Sequence, residues 1–509
     1  MPQRLWSWTR LLAVALILTV ACRAADQQET AENTPQPTPA PVNTCGLIDL
    51  TTCAPVQASS LSSTIPPDIC NPNLQGWTPN QAGFDILSWQ TFVALSWPAD
   101  LSQGRGVPDN SKRIGAVDGN GNTLPVVWDT YKQNYEVFQP QNPSWTLTDA
   151  DWNKWGPPPP GCPSAPAGTP VLRLTAKSPP ELARAVTKAM RSTGMLGDDV
   201  NEAFTGPLVD QAGNLVRYNV QMNQTEFDQI VDGNYYKPGA DTSGLIWYDN
   251  TTDTQFKLGV IEVKSAWKVL SDAEWNGHTF YQREVLIYNE ATGNSPASCT
   301  FQKMGLVGLH IAHKTASAPD WFWATFEHKS NVPETANATG TYSFYNPACQ
   351  PAVTPAQCAT AAQSAPNSDP QYQCCQNLQR YKAIGPPPDD PYNMQRGPIQ
   401  VTRVDPLTGA SGCNTAFLQA LQGTVWENYF LVSTQWLNQH TEGPPFTPVV
   451  TPATLRNTVI ETYLVDWKNN QQVSTSSCIG CHQGGVDFSY IFGAPGAGAA
   501  KLAQPAAHP

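Results

Sequence analysis

"MGLVGLHIAHKTASAPDWFWATFEHKS" (residues 304–330) is the stretch that decides the fold. It contains two runs of strand length in which apolar residues alternate with polar ones or follow one another, and turn residues at Ala318–Asp320 separate the runs. This pattern predicts a β-hairpin. Similar runs precede it at residues 214–223, 256–270 and 278–290. Residues 205–335 are therefore predicted to form an antiparallel β core.

Helical patterns flank this core on both sides. An apolar segment of helix length covers residues 83–98 and stops at Pro98, and residues 126–138 are predicted to continue the helical part. On the C-terminal side, residues 412–436 and 451–470 predict helices. Leu455, Val459, Tyr463 and Trp467 recur at helical spacing in the second of these. The predicted fold class is α+β, with an antiparallel β core, flanking helices, long Pro/Cys-rich loops and a C-terminal helical segment.

"SSCIGCHQGG" (residues 476–485) contains the clearest chemical motif. Cys478, Cys481 and His482 have the C-x-x-C-H spacing that attaches a c-type haem, because two thiols add to the porphyrin vinyl groups and the adjacent imidazole binds iron. Residues three and four apart lie on one face of a helix, so a single helical turn provides this geometry. The sequence predicts one covalent haem c in a haem-binding helical segment, with His482 as the proximal iron ligand.

Two other functions of a C-x-x-C pair remain open. A redox dithiol normally begins a helix in a thioredoxin-like βαβ unit, and the flanks of this motif predict no such unit. A structural zinc site needs four ligands, usually from two cysteine pairs, and the chain has no second C-x-x-C. Haem attachment is the favoured interpretation.

The N-terminal sequence predicts export from the cytoplasm. Arg4 and Arg10 precede an apolar run that is too short to span a membrane, which is typical of a signal peptide over residues 1–22. The ending "TVAC" resembles the lipobox of bacterial lipoproteins, in which the cysteine, here Cys22, becomes lipidated; simple secretion is the alternative. We expect the protein in the periplasm, at the outer membrane or at the cell surface, with membrane contact only through this lipid anchor. Haem attachment of this type in bacteria also takes place outside the cytoplasm.

The remaining cysteines agree with an oxidising compartment. Besides Cys22 and the two motif thiols, the chain contains Cys45, Cys53, Cys70, Cys162, Cys299, Cys349, Cys358, Cys374, Cys375 and Cys413. An even number in an exported protein predicts up to five disulfides. Their connectivity stays open, and the alternative is that some of them are free thiols.

The charge of the chain excludes one class of partner. The formal net charge is −12 and only 14% of the residues are charged, whereas nucleic-acid binding needs a basic footprint. The sequence contains no P-loop or G-x-G-x-x-G signature for a nucleotide. We therefore expect no nucleic acid, and a redox partner protein or a small-molecule oxidant or reductant instead.

The ligand opposite His482 is expected to come from upstream or to be absent, because no Met follows the motif. The hairpin suggests His310, His313 and His328 as candidates for a distal haem ligand, for a proton-handling group above an open iron, or for a separate metal site. Because strand residues alternate between faces, His310 and His313 lie on opposite faces and so do Glu327 and His328, which means that about half of these groups can converge. Ordinary packed histidines are the alternative interpretation. Met394 is the principal rival ligand, and the other donors are His278, His440, Met190, Met195, Met222 and Met304.

The segments "SWQTFVALSWP", "GLHIAHKT" with "WFWATFEH", and "CIGCHQGGVDFSY" resemble recurring stretches of large bacterial monohaem cytochrome c family proteins. The resemblance implies haem c bound through Cys478 and Cys481, with His482 proximal, and electron transfer as the default role. It implies no substrate and no distal ligand. Classical dihaem peroxidases have two C-x-x-C-H motifs, whereas this chain has one.

Three functions follow from these patterns. The first is an exported c-type cytochrome in electron transfer, and the second is a peroxidase- or oxygenase-like haem enzyme whose open iron site is served by groups such as Glu327 or Arg396. The third is a scaffold in which the haem is structural. The predicted domains are a signal peptide at 1–22, a Pro/Cys-rich linker at 23–75, an α+β body at 76–470 and the haem c attachment segment with a tail at 471–509.

Overall fold

The computed structural model describes a defined part of the chain: residues 47–49, 54–56, 61–69, 80–138, 151–159, 161–173, 208–237, 256–289, 296–334, 339–347, 400–405, 407, 411–439, 449–468, 471–482 and 491. The predicted signal peptide with Cys22 lies outside the described residues, and so do Met394, Arg396, His440 and the tail after residue 491.

The described residues form thirteen strands and six α-helices. The strands are β1 (Leu47–Asp49), β2 (Ala54–Val56), β3 (Lys132–Gln133), β4 (Val171–Leu172), β5 (Arg217–Met222), β6 (Ile261–Val269), β7 (Gln282–Asn289), β8 (Ser298–Thr315), β9 (Ala318–His328), β10 (Tyr429–Gln439), β11 (Val449–Thr451), β12 (Val465–Lys468) and β13 (Gln471–Ser474). The helices are α1 (Gln81–Leu95), α2 (Asn134–Val137), α3 (Gln224–Asp232), α4 (Asp272–Gly277), α5 (Ser411–Ala420) and α6 (Cys478–His482), and 3₁₀ turns occupy Trp128–Thr130 and Val425–Asn428.

A nine-stranded sheet forms the centre of the protein. Its strands follow the order β11-β10-β9-β8-β6-β5-β3, and β7 pairs with both β8 and β4. Every pair in this sheet is antiparallel except β4 with β7. The predicted antiparallel β core and the α+β class are thus confirmed.

The long strand β8 organises this sheet. Residues 304–313 of β8 pair with β6, residues 298–305 pair with β7, and residues 308–315 pair with β9. The predicted hairpin is present, but its turn is Ala316–Ser317, because Ala318 already pairs with Thr315. The turn therefore lies two residues earlier than predicted.

Helix α1 covers the sheet near β9 and β10. Asn80 caps it by accepting a hydrogen bond from the Gly83 N–H at 2.9 Å. The helix is buried on nearly all sides, as its apolar sequence requires. Phe84 stacks on Trp436 with ring centroids 4.6 Å apart, and Phe92 stacks on Phe326 at 4.2 Å. The predicted helix at residues 83–98 is confirmed, and it begins at Gln81.

Two predicted helical stretches contain strands instead. Within residues 126–138, Lys132 and Gln133 pair with β5, so only the short α2 remains helical. Within residues 412–436, α5 ends at Ala420, and Gly423 adopts a φ of +80° that a helix cannot contain. The chain then enters β10, where backbone pairing with β9 outweighs local helix propensity.

The prediction of a helix over residues 451–470 was wrong as well. Leu455, Val459 and Tyr463 are buried, as their spacing implied, but residues 452–464 form turns that lead into the β12–β13 hairpin. Side chains take the backbone N–H groups that a helix would use. Asn457 Oδ1 accepts from the Val459 N–H at 3.0 Å, and Glu461 Oε2 accepts from the Asn457 N–H at 3.0 Å.

The cysteine prediction has support in the described residues. Cys162 and Cys299 form a disulfide that connects the Pro-rich segment before β4 to the beginning of β8, and Cys413 is disulfide-bonded too. The other cysteines predicted to form disulfides lie outside the described residues. In the part of the chain that the structure describes, no helix is long and apolar enough to cross a membrane.

Candidate functional site

The motif forms one helical turn, α6, that begins beside β10. Gln435 on β10 accepts hydrogen bonds through Oε1 from the Ile479 N–H at 2.9 Å and from Ser477 Oγ at 3.3 Å. The Leu455 N–H donates to the Ser476 carbonyl at 2.8 Å. Ile479 is fully buried. These contacts hold the beginning of α6 against the sheet and satisfy an N–H of its first turn that has no partner within the helix.

The helical turn arranges the motif as the spacing predicts. Cys478 and His482 are four residues apart and lie on one face of α6, and the backbone of Cys481 belongs to the same turn. Cys478 is buried and His482 is partly exposed. The imidazole of His482 packs against the indole of Trp323 on β9, with ring centroids 4.2 Å apart and planes inclined by 48°.

One face of the sheet carries all these contacts, and we call it the motif face. Trp323 lies opposite Gln435 on β10 and opposite Ala312 on β8. His310 lies opposite Thr325, two residues from Trp323, so His310 and Trp323 are diagonal neighbours on this face, about 7–8 Å apart. The structure thus places His310 on the same face as the motif.

A buried polar cluster covers the motif face next to His310. His310 Nε2 lies 3.2 Å from Glu461 Oε2. The fully buried Glu327 accepts hydrogen bonds from the Thr458 N–H at 2.7 Å, from Thr458 Oγ1 at 2.6 Å and from Arg403 at 2.7 Å. Burial in a medium of low polarity strengthens these contacts. They fix the chain segment that leads to α6.

His313 and His328 belong to the opposite face of the hairpin. His313 packs against Phe322, with ring centroids 5.3 Å apart, and burial lowers the pKa of His313 to about 3. His328 stacks on Phe280 at 4.0 Å, and its Nδ1 accepts from the Ser330 N–H at 3.1 Å. Burial also lowers the pKa of His328 to about 3. Both imidazoles are therefore neutral near pH 7 and are held by core contacts.

The other predicted donors are scattered. Met222 and Met304 are fully buried in the main core, and His278 is exposed at the end of α4, where it adopts a φ of 51°. Met190, Met195, Met394 and His440 lie outside the described residues. Within the described ranges, no group of three or more His, Cys, Asp and Glu side chains is arranged to hold a metal ion.

Two tryptophans that the sequence analysis did not single out belong to the site. Trp321 and Trp323 are both buried, and neither indole Nε1–H has a hydrogen-bond partner among the described residues. Only the Trp-rich sequence "WFWATFEH" could have indicated them, because nothing local specifies which tryptophan will meet the motif. The motif residue His482 contacts one of these two indoles, that of Trp323, and a buried donor without an acceptor would fit the acidic groups of a covalently attached haem.

The comparisons with known proteins gave no match: no protein-family model matches the chain, no curated protein matches it in sequence, and no solved structure matches it in fold. The resemblance to large monohaem cytochrome c family proteins therefore stays a prediction.

Proposed function

We propose that this protein is an exported c-type cytochrome that takes part in electron transfer. One haem is attached through Cys478 and Cys481, and His482 is its proximal iron ligand. The observation that carries the proposal is the single turn α6, which brings Cys478 and His482 to one face and sets His482 against Trp323. When bound, the haem supplies one-electron chemistry between ferric and ferrous iron.

The chain's own residues then orient the ligand and limit the access of water. Trp323 packs against the His482 imidazole and restricts its rotation. Gln435 fixes the beginning of α6 through its bonds to the backbone and side chain. Ile479 is fully buried and closes the side of the helix that faces the core. These residues would hold His482 in one orientation and limit its contact with water, which would suit a haem that transfers electrons.

His310 is the distal candidate that we propose among the three histidines. It is the member of this set that lies on the motif face, one diagonal step from Trp323. Its Nε2 lies 3.2 Å from Glu461 Oε2 and has no hydrogen-bond partner among the described residues, so this nitrogen is not held by a hydrogen bond. His313 and His328 are engaged in core packing on the other face. Met394 remains the rival ligand.

The location and partners follow from the same proposal. A disulfide between Cys162 and Cys299 forms and persists in oxidising compartments, which supports export to the periplasm or the cell surface with a lipid anchor at Cys22. A net charge of −12 suits a basic redox protein, and a small-molecule oxidant or reductant is the other partner class.

Haem attachment can be tested directly. The chain is expressed with the haem-attachment machinery, and a denaturing gel is stained for covalent haem. The wild type should stain, the double variant Cys478→Ala/Cys481→Ala should not, and the control Cys162→Ser/Cys299→Ser should stain because it removes cysteines away from the motif. An unstained wild type, or a stained motif variant, contradicts the proposal.

A carbon monoxide titration separates the electron carrier from a haem enzyme. A six-coordinate carrier keeps its low-spin ferrous spectrum when CO is added, whereas an open iron site binds CO readily. His310→Ala should make the ferrous protein bind CO if His310 is the distal ligand. His313→Ala is the matched control, since that imidazole faces away from the motif. CO binding by the wild type would favour the enzyme.

A further inference from the structure

Two neighbouring indoles on β9 have donors that the described residues leave unused. Trp321 and Trp323 are 1% and 6% exposed, and their ring centroids lie 6.2 Å apart with planes inclined by 29°. Neither Nε1–H has a hydrogen-bond partner among the described residues. A buried tryptophan normally finds an acceptor, because a donor removed from water without one lowers stability.

The same protein satisfies other buried indoles. Trp89 donates to Asn414 Oδ1 at 3.1 Å, and Trp267 donates to Ser265 Oγ at 2.8 Å. Trp128 and Trp426 also have no acceptor among the described residues, but each lies inside a cluster of aromatic rings. Trp323 differs from these two because its ring contacts the motif residue His482.

The backbone at Trp321 is strained. Its φ is +68°, in the left-handed region that bulky residues rarely adopt. The register between β8 and β9 shifts at this level, between His313 and Thr315. Such irregularities redirect side chains near functional sites, and strain persists where the surroundings enforce it. The rings of Trp321 and Trp323, two residues apart in β9, lie side by side at this irregularity.

Resting on the proposed function, we propose that the indole N–H groups of Trp321 and Trp323 donate hydrogen bonds to the propionate carboxylates of the haem attached at Cys478 and Cys481. The propionates are the anionic acceptors that haem c offers, and a buried carboxylate needs donors. A haem attached at the motif would lie next to His482, and His482 contacts Trp323. The ammonium of the buried Lys314 lies 6.0 Å from the centroid of the Trp321 ring and adds positive charge nearby.

Trp321 and Trp323 are thus positioning residues for the haem. Phenylalanine is the informative substitution at both positions, because it keeps an aromatic ring and removes the N–H. In the haem-loaded protein, Trp323→Phe and Trp321→Phe should shift the propionate bending modes in the resonance Raman spectrum. They should also lower the reduction potential, because a less stabilised propionate charge favours ferric iron. Trp128→Phe and Trp426→Phe are matched controls and should change neither property. Unchanged modes and potential in both test variants overturn the inference.

A stability comparison gives an independent readout. In the haem-free double variant Cys478→Ser/Cys481→Ser, Trp323→Phe removes a donor without an acceptor and should leave the unfolding midpoint in urea unchanged or raised. In the haem-loaded protein it removes a charge-assisted hydrogen bond, and the folding equilibrium constant should fall about tenfold or more. Trp128→Phe should have the same effect in both forms. Equal effects of Trp323→Phe in both forms contradict the inference.

These experiments separate the two proposals. If the wild type carries no covalent haem, the proposed function fails before the tryptophan variants are made. If the haem is present and the tryptophan variants behave like their controls, only the inference about the propionates fails. The resonance Raman and potential measurements need no haem-free protein, so they decide the question even if the cysteine double variant does not fold.

Discussion

Replacing Glu327 by Gln tests whether the buried polar cluster holds the segment that carries the motif. Glu327 is fully buried and accepts bonds of 2.6 to 2.7 Å from Arg403 and from the backbone and side chain of Thr458. Glutamine keeps the shape, but it removes the charge and turns one acceptor into a donor that faces these donors. Arg403, whose side chain is only 7% exposed, is then left without its carboxylate.

The magnitude follows from that geometry. Removing one partner of a buried ion pair lowers the free energy of unfolding by about 3–5 kcal/mol, which is a large part of the roughly 5–15 kcal/mol that stabilises a domain. The matched control is Asp272→Asn. Asp272 pairs with Lys303 at 2.9 Å, but the two side chains are 86% and 39% exposed, and such surface pairs contribute at most about 1 kcal/mol.

Urea unfolding followed by tryptophan fluorescence measures both variants. Glu327→Gln should lower the midpoint strongly with an unchanged slope, and Asp272→Asn should hardly move it. Because residues 455 and 476 are joined by a backbone hydrogen bond, the weakened segment should also expose α6, so Cys478 should be alkylated faster in the haem-free protein. Equal, small shifts of the midpoint in the two variants would refute the reasoning.

Three further changes have expected outcomes in the same urea assay. Burial lowers the pKa of His313 and His328 from 6.5 to about 3, so between these pH values the unfolded chain binds protons that the folded chain does not. The free energy of unfolding should therefore fall as the pH drops below 6.5, by about 3 kcal/mol per histidine at pH 4, and His313→Phe should flatten this pH dependence. Burial raises the pKa of Asp85 from 3.8 to about 7, so between these pH values the folded chain keeps a proton that the unfolded chain loses, and stability should fall as the pH rises. Asp85→Asn should therefore raise the free energy of unfolding by up to about 4 kcal/mol at pH 8 and by little at pH 4. Equal gains at both pH values would contradict the assignment. Removing the disulfide with Cys162→Ser/Cys299→Ser should lower the free energy of unfolding by about 2–5 kcal/mol, and a midpoint equal to that of the oxidised wild type would argue against it.

The sequence predicts the structure well where a pattern within a few residues determines it. The residues of β8 and β9 predict these two strands by themselves, and the apolar residues of α1 predict that this helix is buried on nearly all sides. The separation of His310 from His313 on two faces needs only the two-residue period of a strand. The one-turn geometry of α6 follows from the motif spacing. These features depend on contacts within a few residues.

Prediction fails where distant contacts override a local preference. The spacing of Leu455, Val459 and Tyr463 marks a buried face correctly, but Glu327, more than a hundred residues earlier, takes the Thr458 N–H that a helix would otherwise use. β10 contains residues compatible with a helix and becomes a strand because β9 offers an edge. No local pattern reveals such an edge or such a carboxylate.

The geometry of the motif helix depends on distant contacts in the same way. The contacts that hold α6 come from three separate parts of the sequence: Trp323 on β9, Gln435 on β10 and the backbone of Leu455. A five-residue helix has no stability of its own in water, so its geometry depends on these partners. This explains why the residues that surround His482 are visible in the fold but not in the motif.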